Sequence, residues 1–490
     1  MSFNSWQFLI FLPVVVILHW VLPKKYRWVM LLLASYLFYM SWNPWLIFLI
    51  VFTTGVSFMS GLLMEMYDSK KVRKACMIVT VVCCLGVLFF YKYFLFIVNS
   101  VIDIANLGGR NIAEFSIDII LPVGISFYTF QTLSYVIDVY RGRIKAERHL
   151  GYYALFVTYF PQLVAGPIER PENLLPQLKA DRKLDSKDLC DGFRIALVGF
   201  FKKVVIADGV AAIVNGVYNN IGAATGLTVI VATVLFAIQI YCDFSGYTDI
   251  AVGVARMMGI KLCDNFNRPY LATSIRDFWR RWHISLTAWF TDYVYIPLGG
   301  NRCKAWRWAI NVMIVFLLSG MWHGASWTFI VWGGIHGVYQ IIGRLKSAGL
   351  KKLESKGKIR IVDNTATLML RRVITFALVC FAWIFFRSNS LSDCGVAVAK
   401  IFTDWAGSRA ALSALGFNVI YLVRVCLMCG VLALSYNMIK SDAAHNVKLS
   451  GGMLAARFVT YGFMLMAVAV AWVSVYVTGS GASAFIYFQF

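Results

Sequence analysis

Apolar residues run along the chain in blocks long enough to cross a bilayer, separated by short polar gaps. The blocks lie near 6–22, 27–41, 45–66, 75–98, 117–138, 193–214, 226–257, 305–319, 324–343, 370–387, 416–437 and 455–478. Each approaches the ~20 residues that a helix needs to span the hydrocarbon core. Helices and closed barrels alone satisfy every backbone polar group there. The pattern predicts an all-α polytopic membrane protein of roughly a dozen transmembrane helices, forming one membrane-embedded domain over residues 1–490 with no internal repeat and no linker.

Two stretches depart from this pattern. Residues 150–165 are apolar but contain Pro161 and run into Gly166-Pro167. They predict a re-entrant or interfacial helix whose exposed backbone protein must cover. Residues 277–299 are amphipathic and are expected to lie in, or dip into, the membrane.

The gaps set an orientation. Basic runs at 23–27, 68–74, 141–148, 179–187 and 344–360 alternate with charge-poor gaps at 41–44, 99–117 and 387–395. Lysine and arginine stay on the cytoplasmic side, so both termini are expected outside, with the tail 479–490 on the outer face. Residues 6–22 lack a preceding basic region and a following small-residue cleavage site, and are expected to remain as the first spanning helix.

Composition agrees. The chain is 60% hydrophobic and 14% charged, against about half and a quarter in soluble domains. Its 16 Trp, 24 Tyr and 37 Phe suit interfacial belts and aromatic-lined interiors. A net charge of +22 raises the question of nucleic acid. The basic residues cluster between apolar blocks, however, which makes them membrane-facing cytoplasmic loops next to anionic lipid, with no nucleic-acid partner. The 11 cysteines lie mostly in or beside apolar blocks and read as reduced core residues, not as disulfides or a metal site.

Polar residues inside apolar segments mark function more often than elsewhere. In 236–257, Gln239, Asp243 and Gly246 share one helical face, with Ser245 and Asp249 on a neighbouring one. These groups either line a wet interior or bond helix to helix. In 263–302, Asn267 belongs to a turn, and Trp279, Trp282 and His283 recur at helical spacing beside Arg276, Arg280 and Arg281. The cationic end suits phosphate recognition, or simple snorkelling to the interface. His283 among tryptophans is a candidate polar site, with a structural hydrogen bond as the alternative.

His323 is the strongest candidate. It lies between Trp322 and Gly324 with Ser319 one turn before it. Gly320 and Gly324, four apart, allow this helix to approach a neighbour closely. His336, thirteen residues on, falls on roughly the opposite face of a continued helix. An imidazole there can take up and return a proton. No GxSxG, HExxH, P-loop or metal-spaced Cys/His cluster accompanies it. The set suits proton abstraction from a hydroxyl or thiol that attacks an activated acyl group, without a metal.

Five stretches, 121–142 (LPVGISFYTFQTLSYVIDVYRG), 159–178 (YFPQLVAGPIERPENLLPQL), 239–260, 266–302 and 319–337 (SGMWHGASWTFIVWGGIHG), resemble membrane-bound O-acyltransferases, in order and over nearly the whole chain. Within that superfamily the chain resembles the bacterial branch that O-acetylates exported and cell-wall polysaccharides such as alginate and peptidoglycan. The resemblance implies a ring of tilted helices around a central tunnel, with a core at about 121–343. It implies a catalytic His323, a second required polar position at His283, and a donor and tunnel lining formed by Gln239, Asp243, Asn267, Trp279, Arg280, Trp282, Ser319 and Trp322. It implies acetyl-CoA as donor, no metal, the bacterial cytoplasmic (inner) membrane, and an extracytoplasmic SGNH-type acetyltransferase or esterase as partner. The chain's lack of any soluble module able to hold a glycan also favours a partner. In the tail, "FIYFQF" (485–490) resembles an aromatic end element of these proteins and makes Tyr487 a candidate acyl relay, with hydrophobic docking as the alternative. Two other readings stand beside this one: D-alanyl transfer of the teichoic-acid type, and a polysaccharide or ion transporter with His323 as proton relay.

Overall fold

In the computed structural model every regular element is helical among the described residues, which are 1–356, 364–443, 451–477 and 485–486. Seven described helical stretches are long and apolar enough to cross a membrane: Pro44–Met66, Lys70–Leu107, Gly226–Met257, Ala305–His323, Thr365–Arg387, Val419–Ile439 and Gly451–Val475. The chain is a multi-pass membrane protein. Other apolar blocks form helices that are shorter, interrupted or, as in the 29-residue Trp327–Ser355, less apolar. Residues 117–138, for example, supply only Ile125–Tyr140, about 24 Å at 1.5 Å per residue, and that helix is buried along almost its whole length.

Two compact units make up the chain. The first comprises Met1–Leu197 and Tyr247–Cys263. It carries α1 (Trp6–Val21), α2 (Lys24–Met40), α3 (Ile47–Met66), α4 (Lys70–Leu88), α5 (Phe94–Leu107), α6 (Ile125–Tyr140), α7 (Leu150–Thr158), α8 (Phe160–Leu163), α9 (Pro171–Lys179) and most of α10 (Ser186–Phe200). The helix expected at 150–165 breaks at Tyr159, between α7 and α8, with Pro161 in the first turn of α8. The break frees the carbonyl of Phe156 and the amide of Phe160. Gln131 Nε2 (2.6 Å) and Gln162 Nε2 (3.1 Å) donate to Phe156 O, and Phe160 N donates to Ser35 Oγ at 3.1 Å. Protein groups thus replace the missing ladder bonds, as an apolar setting requires. Also in this unit, Gly192 and Gly253 let two helices touch. A Cβ on either would fall 2.5–2.6 Å from the other's carbonyl oxygen. Arg256 then reaches Asp188 (3.1 Å) and Asp191 (2.7 Å).

The second unit comprises Val198–Gly246 and Asp264–Phe490. After α10 a π-helical stretch, Phe201–Ala207, leads into α11 (Asp208–Tyr218) and the long α12 (Gly226–Met257), whose residues from Tyr247 on belong to the first unit. The amphipathic segment yields two short helices, α13 (Ile275–Trp279) and α14 (Ile284–Phe290), followed by a π-helical turn. Then come α15 (Ala305–His323), α16 (Trp327–Ser355), α17 (Thr365–Arg387), α18 (Leu391–Thr403), α19 (Ser408–Ala414), α20 (Val419–Ala443) and α21 (Gly451–Val477). The core of this unit is aromatic: Phe278, Trp279, Trp282, Phe329, Trp332, Trp383 and Phe386 are buried together.

Candidate active site

His323 is the last residue of α15. Gly324 adopts an extended backbone (φ −164°, ψ 154°), and Ser326 restarts the chain as the N-cap of α16, accepting from Thr328 N at 3.3 Å. Both glycines expected to allow close approach face α16: Gly320 lets backbone meet backbone, and Gly324, just beyond the helix end, leaves room for the Phe329 ring, which a Cβ there would strike. Gly320 crosses Gly333 of α16. A Cβ on Gly320 would strike the carbonyl of Phe329, and one on Gly333 the carbonyl of Phe316. The hairpin closes on two glycines and leaves His323 at its tight end. The break also resets helical phase, so the expected opposition of His323 and His336 does not hold. Both face Trp332, at ring-centroid distances of 5.0 and 5.1 Å.

His323 is 3% exposed. Its ring lies 5.0 Å from that of Trp322, 5.4 Å from Phe386 and 6.4 Å from His283. His283 is fully buried and caps α14 in the left-handed region, with φ +44° and ψ 55°. Only two described non-glycine residues have such a φ. A left-handed non-glycine residue costs on the order of 1–3 kcal/mol and persists where its surroundings fix it. Here Asn265 does so. Its Oδ1 lies 3.2 Å from His283 Nδ1 and accepts from Ser285 Oγ (2.9 Å) and Ser285 N (3.2 Å), while its carbonyl accepts from Ile284 N at 3.0 Å. Sequence reasoning passed over Asn265, although it stands two residues from Asn267 in the same polar turn. His336 is fixed too: the indole N–H of Trp279 donates to its Nδ1 at 3.2 Å.

A cavity of about 650 Å³ opens beside this cluster. Ser319 and Trp279, both buried, lie on its wall, and Arg276, Arg280, Arg344 and Lys351 add positive charge. Arg344 sits 4.0 Å above the Trp308 ring. Arg281 is committed elsewhere, with its Nε 2.9 Å from Asp277 Oδ1. The volume lies in the range of small-molecule sites, and a guanidinium-rich wall is matched to phosphate.

The sequence candidates therefore separate. Trp279, Arg280 and Ser319 meet at the cavity. His283, Trp322 and His323 form the buried cluster, and Trp282 packs behind it, 5.2 Å from Trp383. Asn267 turns away and accepts from Tyr436 Oη at 3.2 Å. Gln239 and Asp243 are buried on α12 and do not line the cavity. Asp243 pairs with Lys203 at 2.6 Å and accepts the main-chain N–H of Ile486 at 2.8 Å. Tyr487 lies outside the described residues.

Comparison with known proteins follows the same line. The profile of the membrane-bound O-acyltransferase family (MBOAT) matches residues 147–381. The probable alginate O-acetylase AlgI of Azotobacter vinelandii is 37% identical over 87% of this chain and 84% of its own length. The peptidoglycan O-acetyltransferase of Helicobacter pylori is 34% identical over 74% of this chain and 71% of its own. The teichoic acid D-alanyltransferase of Bacillus subtilis is 32% identical over 54% of this chain and 69% of its own.

Proposed function

The chain belongs to the membrane-bound O-acyltransferase family, and on that footing we propose that it takes the acetyl group of cytoplasmic acetyl-CoA and passes it through a tunnel, within a ring of tilted helices, for O-acetylation of an exported or cell-wall polysaccharide. One observation carries this reading: a cationic cavity has Ser319 on its wall one helical turn before the buried His323. Nucleotide phosphates fit among Arg276, Arg280, Arg344 and Lys351, and the thioester end points toward the histidines.

In the reaction, His323 takes the proton of an acceptor hydroxyl as its oxygen attacks the thioester carbonyl. The carbon–sulfur bond breaks, and the departing thiolate recovers a proton from the imidazolium. His283, held by Asn265, orients the acyl group or steadies the developing oxyanion. Tyr487 acts as the relay that receives the acetyl group on its phenolic oxygen. An extracytoplasmic SGNH-type partner then moves it to the polymer. The site is the bacterial inner membrane, with both termini outside. Coverage of the chain is greater for the acetyl-transferring relatives than for the D-alanyl one, 87% against 54%, which favours acetate over D-alanine.

The test is release of CoA and transfer of label from acetyl-CoA by purified protein. His323→Ala is expected to lower the rate by about 10²–10⁴-fold, the usual contribution of a positioned base, with the protein still folded. Unchanged turnover would remove His323 from the reaction.

A further inference from the structure

A second buried cluster in the same unit lies apart from the cavity. Lys203, in the π-helical stretch, places Nζ 2.6 Å from Asp243 Oδ1 and 2.8 Å from Asp208 Oδ1. The side chains of Lys203 and Asp243 are 7% and 3% exposed. Gly246 makes this pairing possible. A Cβ there would lie 2.8 Å from the carbonyl of Gly199 and 3.1 Å from Lys203 N, so α12 runs against the π-helical stretch. A buried ion pair is costly to keep unless its remaining lone pairs are satisfied. For Asp243 that role falls to a chain segment more than two hundred residues away, since Oδ2 accepts the N–H of Ile486 at 2.8 Å.

The residues around this bond are also buried. Phe485 is 3% exposed, with its ring 5.9 Å from Phe244, and the Phe244 ring lies 4.7 Å from His283. Ile486 is 5% exposed and belongs to the aromatic core that holds Trp282, Trp332 and Phe386. A carboxylate serving only as helix glue would spend both oxygens on helices. This one spends one on Lys203 and the other on the backbone of the tail.

We infer that Asp243, fixed by Lys203, is a positioning residue that seats the 485–486 segment next to the histidine pair. The main-chain N–H sets the height of the segment, and burial of Phe485 and Ile486 sets its direction. The next residue in sequence is Tyr487. The catalytic consequence rests on reading Tyr487 as the acyl relay, whereas the seat itself does not.

Hydrogen exchange followed by mass spectrometry tests the seat on the full-length chain in detergent. Amides of the 485–490 peptide are expected to exchange about 10-fold or more slowly than in the free synthetic peptide. Asp243→Ala and Ile486→Pro both return them to the free rate. Ile486→Pro deletes the donor itself and lies outside the α-helices, so it carries the test even if Asp243→Ala disturbs the fold. Ile486→Ala keeps the N–H and most of the protection, and Tyr487→Phe keeps all of it. Acetyl transfer falls about 10-fold or more in Asp243→Ala and Ile486→Pro, while KM for acetyl-CoA stays unchanged. Equal exchange in the wild type and Asp243→Ala overturns the seat, as does free-peptide exchange in the wild type. Normal transfer by Tyr487→Phe with intact protection overturns the relay and leaves the seat standing.

Discussion

Replacing Arg280 with alanine separates donor binding from every structural use of the arginines. Three arginines crowd residues 276–281, and the structure gives them different work. Arg281 is tied to Asp277 one turn earlier at 2.9 Å. Arg276 and Arg280 are exposed on the wall of the cavity. A hydrogen bond to a charged group contributes about 1.5–3 kcal/mol, and solvent at an exposed wall holds the value near the lower end. About 1.5 kcal/mol is a 12-fold change at 1.4 kcal/mol per decade. Arg280→Ala should therefore raise KM for acetyl-CoA about 12-fold with kcat nearly unchanged, the mark of lost uniform binding. Arg276→Ala/Arg280→Ala should approach about 3 kcal/mol, or roughly 150-fold, if each contacts one phosphate. Arg281→Ala loses only a partly exposed i,i+4 pair, worth about 0.3–0.5 kcal/mol, and should shift KM by about 2-fold. The assay is the initial rate of CoA release across donor concentrations, repeated with acetyl-pantetheine, which lacks the nucleotide phosphates. The difference between Arg280→Ala and the wild type should vanish with that donor and shrink as ionic strength rises. A defect of the same size on acetyl-pantetheine, or an Arg281→Ala defect equal to that of Arg280→Ala, would refute the assignment of this cavity to the phosphates.

Three further outcomes are expected. Gly320→Ala drives a methyl group into the Phe329 carbonyl, and such overpacking costs about 1–3 kcal/mol. Gly334→Ala meets only Leu317 Cδ2 at 3.8 Å and should be neutral or slightly stabilising; thermal unfolding of the two variants in detergent compares them, and equal midpoints would contradict the glycine crossing. His283→Asn keeps a residue that tolerates the left-handed backbone, so the fold should persist while turnover drops about 10-fold or more, read as kcat at saturating donor. Tyr487→Phe removes the proposed acceptor hydroxyl, so label transfer to the polymer-modifying partner should stop and CoA release should fall to the slow rate of hydrolysis by water, as measured by following the two products separately.

Much of the architecture was legible because a bilayer narrows the choices. Apolar length predicted helices, and Pro161 predicted the break that Tyr159 makes two residues earlier, with Gln131 and Ser35 repairing the backbone. His323 was legible as an imidazole buried among apolar residues, which is how the structure holds it. The end of its helix was not, because "WHGASW" carries no polar punctuation beyond two small residues. Extrapolating a helical wheel across that end misplaced His336 and left out Gly333, which crosses Gly320 on the facing helix. The partners that fix side chains were hidden for another reason: Asn265 with His283 and Lys203 with Asp243 are tertiary pairs, and no local spacing encodes them. Lys203 lay inside a block read only for its apolarity, where a π-helical stretch turns it inward.

The cavity and the proposed base are adjacent but separate, and that separation bears on the chemistry. Ser319 lines the cavity, and His323 stands four residues further along α15, about 6 Å by helical rise. Between them the aromatic core closes in. Trp279 is on the cavity wall, its ring 5.8 Å from Trp332, and Trp332 is 5.0 Å from His323. The indole of Trp279 is pinned by its bond to His336 Nδ1, so that wall is fixed by a hydrogen bond as well as by packing. On the proposed reading, a bulky donor head bound among the arginines would lie too far off to reach the histidine itself. In the proposed reaction, then, only the thin thioester arm of the donor would approach the tryptophans. Under that proposal, binding energy would be collected at the exposed charged wall and spent at the buried histidine, where exclusion of water would slow competing hydrolysis. Widening the passage with Trp279→Ala should raise hydrolysis of acetyl-CoA relative to transfer, and an unchanged ratio of the two products would show that the tryptophans pack the core without guarding the base.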